Sequence, residues 1–384
     1  MRVLYDDQAF SLQEYGGVSR YHYELLRHAT WPTELSVALS NNLYLPGWPQ
    51  ARHRQFLPTL PLPSRWRVIH YVNRRASVRA LRRGQFDVFH PTLTDHDYFL
   101  PLLQGRPLVI TVHDMIPALF PEHYPGRDGA VLERIARQAA RIITISENTR
   151  ADVLRLLAVP PERVQVVPHG YSEPQVPAAT PALPVPDSYL LFTGSRALYK
   201  NFGCLVDALA ELPPALAAGL HLVCAGGGPF TPAEQDHLRR VGWAARAHQF
   251  GPVTDAQLTL LYRGARAFVF PSLYEGFGLP ILEAFGQLCP VVLSYASCFP
   301  EIAREAALYF NPHQPADLAR QLTCALTEGP LRRQLVRLGQ LRLLDFSWAE
   351  TARRTRTVYE EALYLGASPL ARPVASAPTP ALEL

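Results

Sequence analysis

The feature that most constrains the fold of this sequence is a repeated alternation of short apolar, β-rich runs with helix-length segments. The runs lie at 2–5, 35–40, 87–90, 108–112, 141–146 and 164–168, and then at 189–194, 220–226, 267–272, 290–294 and 307–310. Runs that are apolar on both faces and are separated by helices are typical of parallel sheets covered by helices. The pattern therefore predicts an α/β architecture.

The length of 384 residues suits two domains, each with its own core. The segment 171–188 carries five prolines and is predicted to be a semi-rigid linker between domains at 1–170 and 189–345. A final helix is predicted over 346–365, because Ser347 stands three residues before Glu350, the spacing of a capping box. We expect this helix to cross back to the first domain. The remainder, 366–384, has no periodic pattern and is predicted to be disordered.

Composition excludes several classes of protein. Hydrophobic residues make up 48% and charged residues 18%, as in soluble globular proteins, and the longest apolar runs are too short to span a bilayer. The opening "MRVLYDDQAF" has an acidic pair where a signal peptide needs an apolar core, so we expect a cytoplasmic chain. The five cysteines form no CxxC or metal-ligand pattern, and we expect buried free thiols and no metal site.

Positive charge is concentrated in one segment of the first half. Residues 51–84 contain nine arginines and no acidic residue. Such a patch can attract anionic lipid, a phosphate-bearing acceptor or nucleic acid, or it can be a solvated helix surface. No nucleic-acid-binding motif accompanies it, so nucleic acid is not expected as a partner. We expect peripheral contact with an anionic membrane at its inner face.

Lys200 is the only lysine in a chain with 36 arginines. It lies in "FTGSRALYKNFG", between a strand-like run and a helix-like segment, four residues after Arg196. A guanidinium is a planar fork and an ammonium is a compact point charge, so the two side chains are not interchangeable at a phosphate. Its position can be chance, but an anion clamp for a diphosphate explains it better.

The stretch "PSLYEGFGLPILEAFGQ" at 271–287 places a glycine-bearing loop between a strand and a helix. The amides at the start of that helix are free to bind an anion or sugar hydroxyls. Glu275 precedes the loop and Glu283 follows eight positions later. Carboxylates suit vicinal hydroxyls because they only accept hydrogen bonds. By themselves, Glu283 could equally complement the helix dipole and Glu275 could be a surface acid.

Together these motifs resemble the retaining glycosyltransferases of family four, in a branch of bacterial polysaccharide enzymes that are often mannosyltransferases. The resemblance rests on "EGFGLPILEA", "GSR…KN", "CAGGG" at 224–228, "FGPVTDAQLTLLYRGARAFVFPS" and "SCFPEIAREAALYFNP", and it spans residues 1–363. It implies a GT-B fold, in which two Rossmann-like domains face each other across a cleft. The acceptor would bind the first domain and a nucleotide-sugar donor mainly the second.

The resemblance also implies roles for individual residues of the second domain. Glu283 would hold the ribose, Glu275 the donor sugar, and Arg196 with Lys200 the diphosphate. The expected backbone contacts to phosphate, sugar or base are those of Phe277, Gly278, Leu279 and Val253.

In the first domain, Gly16 and Gly17 of "YGGVSRY" would approach the diphosphate. His113 of "TVHDMIP" would reach the reaction centre, although a satisfied buried histidine is the alternative. Acceptor-side roles are expected for Arg20, His90 and Asp114; Asp114 could instead cap the following turn. The segment "VPHGYS" departs from the family, whose members often have asparagine and "GVD" there, which affects contacts near His169.

The resemblance implies transfer of a hexose, with mannose from GDP-mannose expected, to a glycan or lipid-linked acceptor in cell-surface polysaccharide synthesis. Cationic side chains and helix-end amides would stabilise the leaving diphosphate, so no metal or other cofactor is expected. Two alternatives stay open: another enzyme of the same fold, such as a nucleotide-sugar epimerase or a phosphorylase, and a non-catalytic glycan-binding relative.

Overall fold

A computed structural model describes residues 1–48, 50, 53–56, 65–124, 129–196 and 198–367. The strands of the N-terminal domain are β1 (Val3–Tyr5), β2 (Thr33–Leu35), β3 (Val88–His90), β4 (Val109–Val112), β5 (Arg141–Thr144) and β6 (Val164–Val166). They pair in parallel in the orders β2-β1-β3 and β4-β5-β6, and a bridge between Phe89 and Leu108 joins the two groups. The first domain therefore has a parallel sheet.

Helices cover both faces of this sheet, and its strands β1, β3 and β4 are therefore buried along their whole length. They are α1 (Gln8–Leu12), α2 (Gly17–Arg27), α3 (Arg65–Arg83), α4 (Ile116–Leu119), α5 (Gly129–Gln138) and α6 (Glu147–Leu157). One face packs around Tyr5, Tyr21 and Leu25, and the other around Phe89, Ile110 and Ile142. The two apolar layers explain why the first-half strands read as continuous hydrophobic runs.

The C-terminal domain repeats the plan with a single six-stranded sheet. Its strands are β7 (Tyr189–Thr193), β8 (His221–Ala225), β9 (Ala247–Phe250), β10 (Ala267–Phe270), β11 (Val291–Ser294) and β12 (Leu308–Phe310). The order is β12-β11-β10-β7-β8-β9, with every pair parallel. This order reverses between β7 and β10, and ligands of such sheets bind in the crevice beyond the carboxyl ends of the two strands at that point.

The helices of this domain fill the connections between strands. They are α7 (Phe202–Ala210), α8 (Pro214–Ala217), α9 (Pro232–Arg240), α10 (Asp255–Gly264), α11 (Leu279–Gly286), α12 (Phe299–Ala303), α13 (Pro315–Thr327) and α14 (Gly329–Leu343). The two faces of the sheet form separate apolar layers, one centred on Phe268 and Phe285 and the other on Phe192 and Leu322. The GT-B architecture of two Rossmann-like parallel-sheet domains is confirmed.

The last helix, α15 (Trp348–Ala367), belongs to the first domain's core although it follows the second domain in sequence. Its Trp348, Val358 and Tyr359 pack among the N-terminal core residues. Its first turn is capped by Ser347, whose Oγ accepts from the Glu350 amide at 3.5 Å. The expected disorder of 366–384 concerns residues that lie, from 368 onward, outside the described chain.

The chain crosses between domains twice, and the two crossings lie side by side. Tyr171 pairs with Ser347 in a parallel bridge, and its amide donates to the Phe346 carbonyl at 3.1 Å. A Cβ on Gly170 would lie 2.2 Å from the Trp348 nitrogen, so only glycine fits where the two segments touch. The proline-rich segment after Tyr171 has no regular secondary structure, and its Leu183 and Val185 pack on the C-terminal core.

Two strands differ from the sequence prediction. The edge strand β9 has the sequence AHQF and is half-buried throughout, so it lacked the apolar run used to find the others. Only Leu35 of the run at 35–40 belongs to β2, which begins earlier, at Thr33, and Leu39 forms an isolated bridge with Arg54. Within the described ranges, none of the helices combines the length and apolarity needed to cross a bilayer.

Candidate functional site at the domain cleft

The loops after β7 and β10 meet at the point where the strand order reverses. Lys200 ends the first loop, and its Nζ lies 2.5 Å from Oε1 of Glu275 in the second. The Ser272 hydroxyl donates to the same carboxylate oxygen at 2.7 Å. The Lys200 and Glu275 side chains are only 14% and 12% exposed. The only ammonium side chain of the protein and the first glutamate of the motif are therefore direct neighbours in the cleft.

Glu283, the second glutamate of the motif, makes a bond across the cleft. Its Oε1 accepts from Nη1 of Arg20 at 2.6 Å, and its Oε2 accepts from the Tyr262 hydroxyl at 3.2 Å. Burial lowers the pKa of Arg20, but the charges of Glu283 and Asp255 raise the pKa more, and it is raised overall. Burial raises the pKa of Tyr262 well above its usual value, so this phenol stays protonated and donates.

Glycines shape the backbone on both sides of the cleft. The loop 271–278 between β10 and α11, which carries Glu275, is called the glutamate loop. A Cβ on Gly276 would lie 1.8 Å from the His113 carbonyl oxygen, so the glutamate loop touches the first domain there. Gly278 has a φ of +97°, which favours glycine, and it precedes α11. A Cβ on Gly17 would meet nothing within 4 Å, whereas one on Gly16 would clash with the Gln13 side chain. Packing therefore accounts for Gly16 but leaves space beside Gly17.

Arg196 does not reach into the cleft as the sequence predicted. Its Nε donates to Glu234 at 2.9 Å, and Nη2 donates to the carbonyls of Gly228 at 2.7 Å and Pro229 at 2.9 Å. The side chain is 5% exposed. The guanidinium clasps the loop after β8 through Nε and Nη2, and its Nη1 is buried without a hydrogen-bond partner. The carboxylate that binds the Arg196 guanidinium is that of Glu234, which lies 38 residues further along the chain in the first turn of α9.

His113 lies at the interface of the two domains, beside the glutamate loop. Its ring contacts Tyr21 edge-on at 4.9 Å and lies 5.8 Å from the ring of His169. Its Nε2 is buried without a hydrogen-bond partner. Burial lowers the pKa of His113 to about 4, so the imidazole is neutral near pH 7. A neutral ring at this position can accept or donate one hydrogen bond to a ligand.

His169 stands where the sequence departs from the family, and it forms part of the same interface. It is 3% exposed and stacks on Phe277 at 4.8 Å with an interplanar angle of 27°. Burial lowers its pKa well below 6.5, with His113 adding to the shift. At this position an aromatic contact therefore joins the domain crossing to the glutamate loop.

The structure places two of the acceptor-side candidates, His90 and Asp114, in contacts within the first domain. His90 is fully buried, its Nδ1 pairs with the Tyr359 hydroxyl at 2.6 Å and its Nε2 with Thr111 Oγ1 at 3.0 Å, so it is a core residue under α15. Asp114 caps the next turn, because its Oδ1 accepts from the Ile116 amide at 2.9 Å. Arg20, the third acceptor-side candidate, is brought to Glu283 instead.

The start of α6 forms a second contact between the domains. The Ser146 hydroxyl accepts from the Thr149 amide at 3.1 Å, as a helix cap, and donates to the Gly276 carbonyl at 2.7 Å. The Glu301 carboxylate of the other domain accepts from the amides of Glu147 at 2.9 Å and Asn148 at 3.3 Å. The Gly276 bond holds the glutamate loop against the first domain, and the Glu301 bonds hold α12 there.

The remaining predicted residues lie around these contacts. Phe277 is buried, Leu279 begins α11, and Val253 packs on the C-terminal core in the loop after β9. Sequence reasoning missed Tyr262 and Ser272, which hold the two glutamates. Tyr262 lies in the apolar run of α10, and that pattern indicates only a core position. Ser272 directly follows the strand-end proline, and this position was the available sequence signal for it.

Two parallel-sheet domains, with charged loops at the reversal of strand order, define the class of GT-B glycosyltransferases. Solved structures share this fold. Sucrose-phosphate synthase from Thermosynechococcus elongatus superposes with a TM-score of 0.69 over 94% of this chain and 99% of that one, at 18% identity. WaaG, a glycosyltransferase involved in lipopolysaccharide biosynthesis, gives a TM-score of 0.67 over 94% and 99%, at 17% identity.

Sequence comparisons identify the family. The family model "Glycosyltransferase Family 4" matches residues 15–173, and "Glycosyl transferases group 1" matches residues 179–342. The chain is 29% identical to O-antigen chain mannosyltransferase B of Escherichia coli, over 74% of this chain and 77% of that protein. It is 30% identical to MMP alpha-(1->4)-mannosyltransferase of Mycolicibacterium hassiacum, over 76% and 74%. The chain belongs to glycosyltransferase family four and is a glycosyltransferase.

Proposed function

We propose that the protein transfers mannose from GDP-mannose to a glycan or lipid-linked acceptor in the synthesis of a cell-surface polysaccharide, with retention of configuration. The observation that carries the proposal is the placement of the Lys200–Glu275 pair and of Glu283, which pairs with Arg20, on the segments that follow β7 and β10, where the strand order of the C-terminal sheet reverses. The mannose donor is supported by the names of the two mannosyltransferases to which the chain is similar.

In this proposal each end of the donor has its own partner. Glu283 accepts hydrogen bonds from the ribose hydroxyls, with Tyr262 orienting the carboxylate. Lys200 contacts the diphosphate together with the amides of Gly278 and Leu279 at the start of α11, where helix N–H groups lack intrahelical acceptors. Gly17 leaves room for a phosphate beside α2. Arg196 acts indirectly by holding the loop after β8.

The reaction exchanges one bond at the sugar's anomeric carbon for another. The bond from that carbon to the diphosphate oxygen breaks, and a bond to the acceptor oxygen forms on the same face. The leaving diphosphate takes the acceptor's hydroxyl proton. Lys200 and the helix-end amides stabilise the charge that develops on the diphosphate. His113 and Glu275 face the sugar, and the closed interface around Gly276 excludes water.

We also propose that the reaction needs no divalent cation. Across the part of the chain that the structure describes, no three His, Cys, Asp or Glu side chains are grouped to hold a metal ion. In a metal-independent reaction, transfer continues at an unchanged rate after dialysis against EDTA. A loss of activity that Mg²⁺ or Mn²⁺ restores contradicts this point and leaves the donor assignment standing.

The arginine-rich helix α3 supports a finer proposal about location, that the protein contacts the anionic inner face of a membrane. Trp66, Val68 and Tyr71 on this helix are 51%, 42% and 57% exposed beside the arginines. Aromatic side chains prefer the membrane interface, and each arginine near an anionic surface contributes about 1 kcal/mol. Flotation with phosphatidylglycerol vesicles but not with phosphatidylcholine vesicles is expected, and Arg75→Glu with Arg79→Glu is expected to abolish it.

A panel of nucleotide sugars tests the central proposal. GDP-mannose is expected to raise Tm more than UDP-glucose, UDP-galactose or GDP-fucose does, because the donor that binds most tightly stabilises the folded protein most. A ligand at a hundred times its Kd stabilises the folded state by about 2.7 kcal/mol. Transfer of labelled mannose to a membrane-lipid extract then detects the product. Stabilisation by a uridine sugar alone contradicts the assigned donor, and stabilisation by none of the four contradicts the donor site.

A further inference from the structure

A wide groove lies beside the loops that carry Lys200 and Glu275, and it extends from the cleft along the C-terminal domain. It has an empty volume of about 1070 Å³, including the part open to solvent. Phe120 of the first domain forms one wall of the groove. Tyr295, in the loop after β11, and Tyr309, in β12, form another wall. Tyr295 is 67% exposed. A large aromatic side chain that is left open to solvent in a groove is an available contact surface.

The aromatic walls are held in place by their neighbours. The Tyr295 ring meets the Tyr309 ring edge-on, with centroids 5.6 Å apart and an interplanar angle of 83°. The Tyr309 hydroxyl donates to the Arg304 carbonyl at 2.7 Å. The Phe120 ring lies 5.8 Å from the ring of Tyr199. Fixed rings lose little conformational entropy when a ligand stacks on them.

The groove is continuous with the donor site. Leu273 lines the groove, and its amide donates to the Tyr199 carbonyl at 2.7 Å, immediately before Lys200. Pro312 also lines the groove, and its carbonyl accepts from the Asn201 side chain at 2.8 Å, immediately after Lys200. A molecule in the groove therefore lies next to the backbone that carries the lysine.

The chemistry of the lining indicates a neutral, hydroxyl-rich ligand. Besides the aromatic rings, Asn311, His313 and Asp317 line the groove. Its described lining includes no arginine and no lysine, in contrast to α3, so a phosphate or an anionic lipid finds no partner there. A pyranose ring presents a C–H face that stacks on an aromatic ring and a rim of hydroxyls that bond to amide, imidazole and carboxylate groups.

We propose that this groove is a subsite for neutral sugar units of the acceptor glycan, behind the unit that receives mannose. Sugar rings stack on Tyr295 and Phe120, and their hydroxyls bond to Asn311 and His313. Because Phe120 belongs to the first domain and Tyr295 to the second, a bound glycan also favours the closed cleft. The inference rests on the proposed function for the identity of the sugar, mannose, and on the groove's geometry for the subsite.

Binding of α-linked mannotetraose to the whole protein, measured by saturation-transfer NMR and calorimetry, tests the subsite. Tyr295→Ala is expected to weaken binding about fivefold, as loss of one stacking contact does. The control is Tyr364→Ala, since Tyr364 is 79% exposed on α15, away from the groove, and binding is expected to be unchanged. GDP-mannose is expected to stabilise wild type and both variants equally.

The outcomes separate the subsite from the proposed function. If wild type does not bind the tetraose, or if Tyr295→Ala binds it as tightly as Tyr364→Ala does, the subsite is overturned, whatever the donor assay shows. If GDP-mannose neither binds nor reacts but the tetraose binds in a Tyr295-dependent way, the subsite holds and the donor assignment fails. With both confirmed, Tyr295→Ala is expected to raise the acceptor KM while kcat and the donor KM stay the same.

Discussion

Arg20 and Glu283 form an ion pair across the cleft, with 2.6 Å between the guanidinium Nη1 and the carboxylate Oε1. Arg20 lies in α2 of the first domain and Glu283 in α11 of the second, 263 residues further along the chain. The two side chains are 16% and 13% exposed, so solvent screens the pair only partly. Because Glu283 is the proposed ribose ligand, closing the cleft and binding the donor depend on the same carboxylate.

Arg20→Ala is expected to loosen the closed cleft. The substitution leaves the Glu283 carboxylate with only Tyr262, at a cost of about 1–3 kcal/mol, so the open arrangement becomes more populated. Small-angle X-ray scattering is expected to show a larger radius of gyration than wild type. Arg27→Ala, at the exposed end of the same helix, is the control. An unchanged radius for Arg20→Ala means that the pair does not hold the domains together.

Lys200→Ala is expected to weaken GDP binding by 10- to 100-fold, since a charge-assisted hydrogen bond contributes roughly 1.5–3 kcal/mol. A modest loss of Tm is expected as well, because Glu275 loses its cationic partner. Calorimetry with GDP measures the effect. Arg239→Ala, which removes an exposed ion-paired cation from α9, serves as the control. Wild-type affinity in Lys200→Ala contradicts the diphosphate role.

Substitutions of Glu283 and Glu275 are expected to have different effects, the first on the Kd for GDP and the second on kcat. Glu283→Gln should raise the Kd for GDP about tenfold, because it loses charge at the proposed ribose contact and at Arg20. Glu275→Gln should lower kcat for mannose transfer while GDP affinity changes less than threefold, since this side chain is the proposed contact of the donor sugar. Calorimetry and steady-state kinetics on both variants check the division. Equal effects of the two substitutions on both quantities would be incompatible with it.

Stability is expected to fall as the pH drops from 7.5 to 5. Burial lowers the pKa of His113 from 6.5 to about 4, so between these values the unfolded chain binds more protons than the folded one. This contribution is complete above pH 6.5 and is lost as the pH falls, by roughly 2 kcal/mol at pH 5. Lowered pKa values of His22, His90 and His169 act in the same direction.

Three carboxylates, those of Asp6, Asp7 and Glu301, act in the opposite direction, because burial raises the pKa of each. Burial raises the pKa of Asp6 to about 6, which favours the folded state as the pH falls below that value. The histidines are more numerous, so Tm should still be lower at pH 5 than at pH 7.5. His113→Gln is expected to reduce this difference, and His313→Gln, on the surface, is not. A Tm that does not change with pH shows that the buried histidines are not neutral.

Much of the architecture could be predicted from the sequence because its signals are local. Apolar runs such as 189–194 and 267–272 consist of residues adjacent in the chain, and both form strands in the structure. The strand β9 was missed because an edge strand with half-buried residues needs no apolar run. The glycine-bearing loop between β10 and α11 could also be predicted, since glycine adopts the left-handed backbone of Gly278 without steric cost.

The sequence by itself determined two parallel-sheet domains, a linker of five prolines, and strand-end loops that carry Lys200, Glu275 and Glu283. Only the tertiary structure decided which partner each charged side chain takes. Arg196 pairs with Glu234 rather than facing the cleft, Arg20 pairs with Glu283, and His90 is buried under α15. The physical reason is that ion pairing and burial depend on distances in space between residues far apart in the chain, which no local pattern encodes.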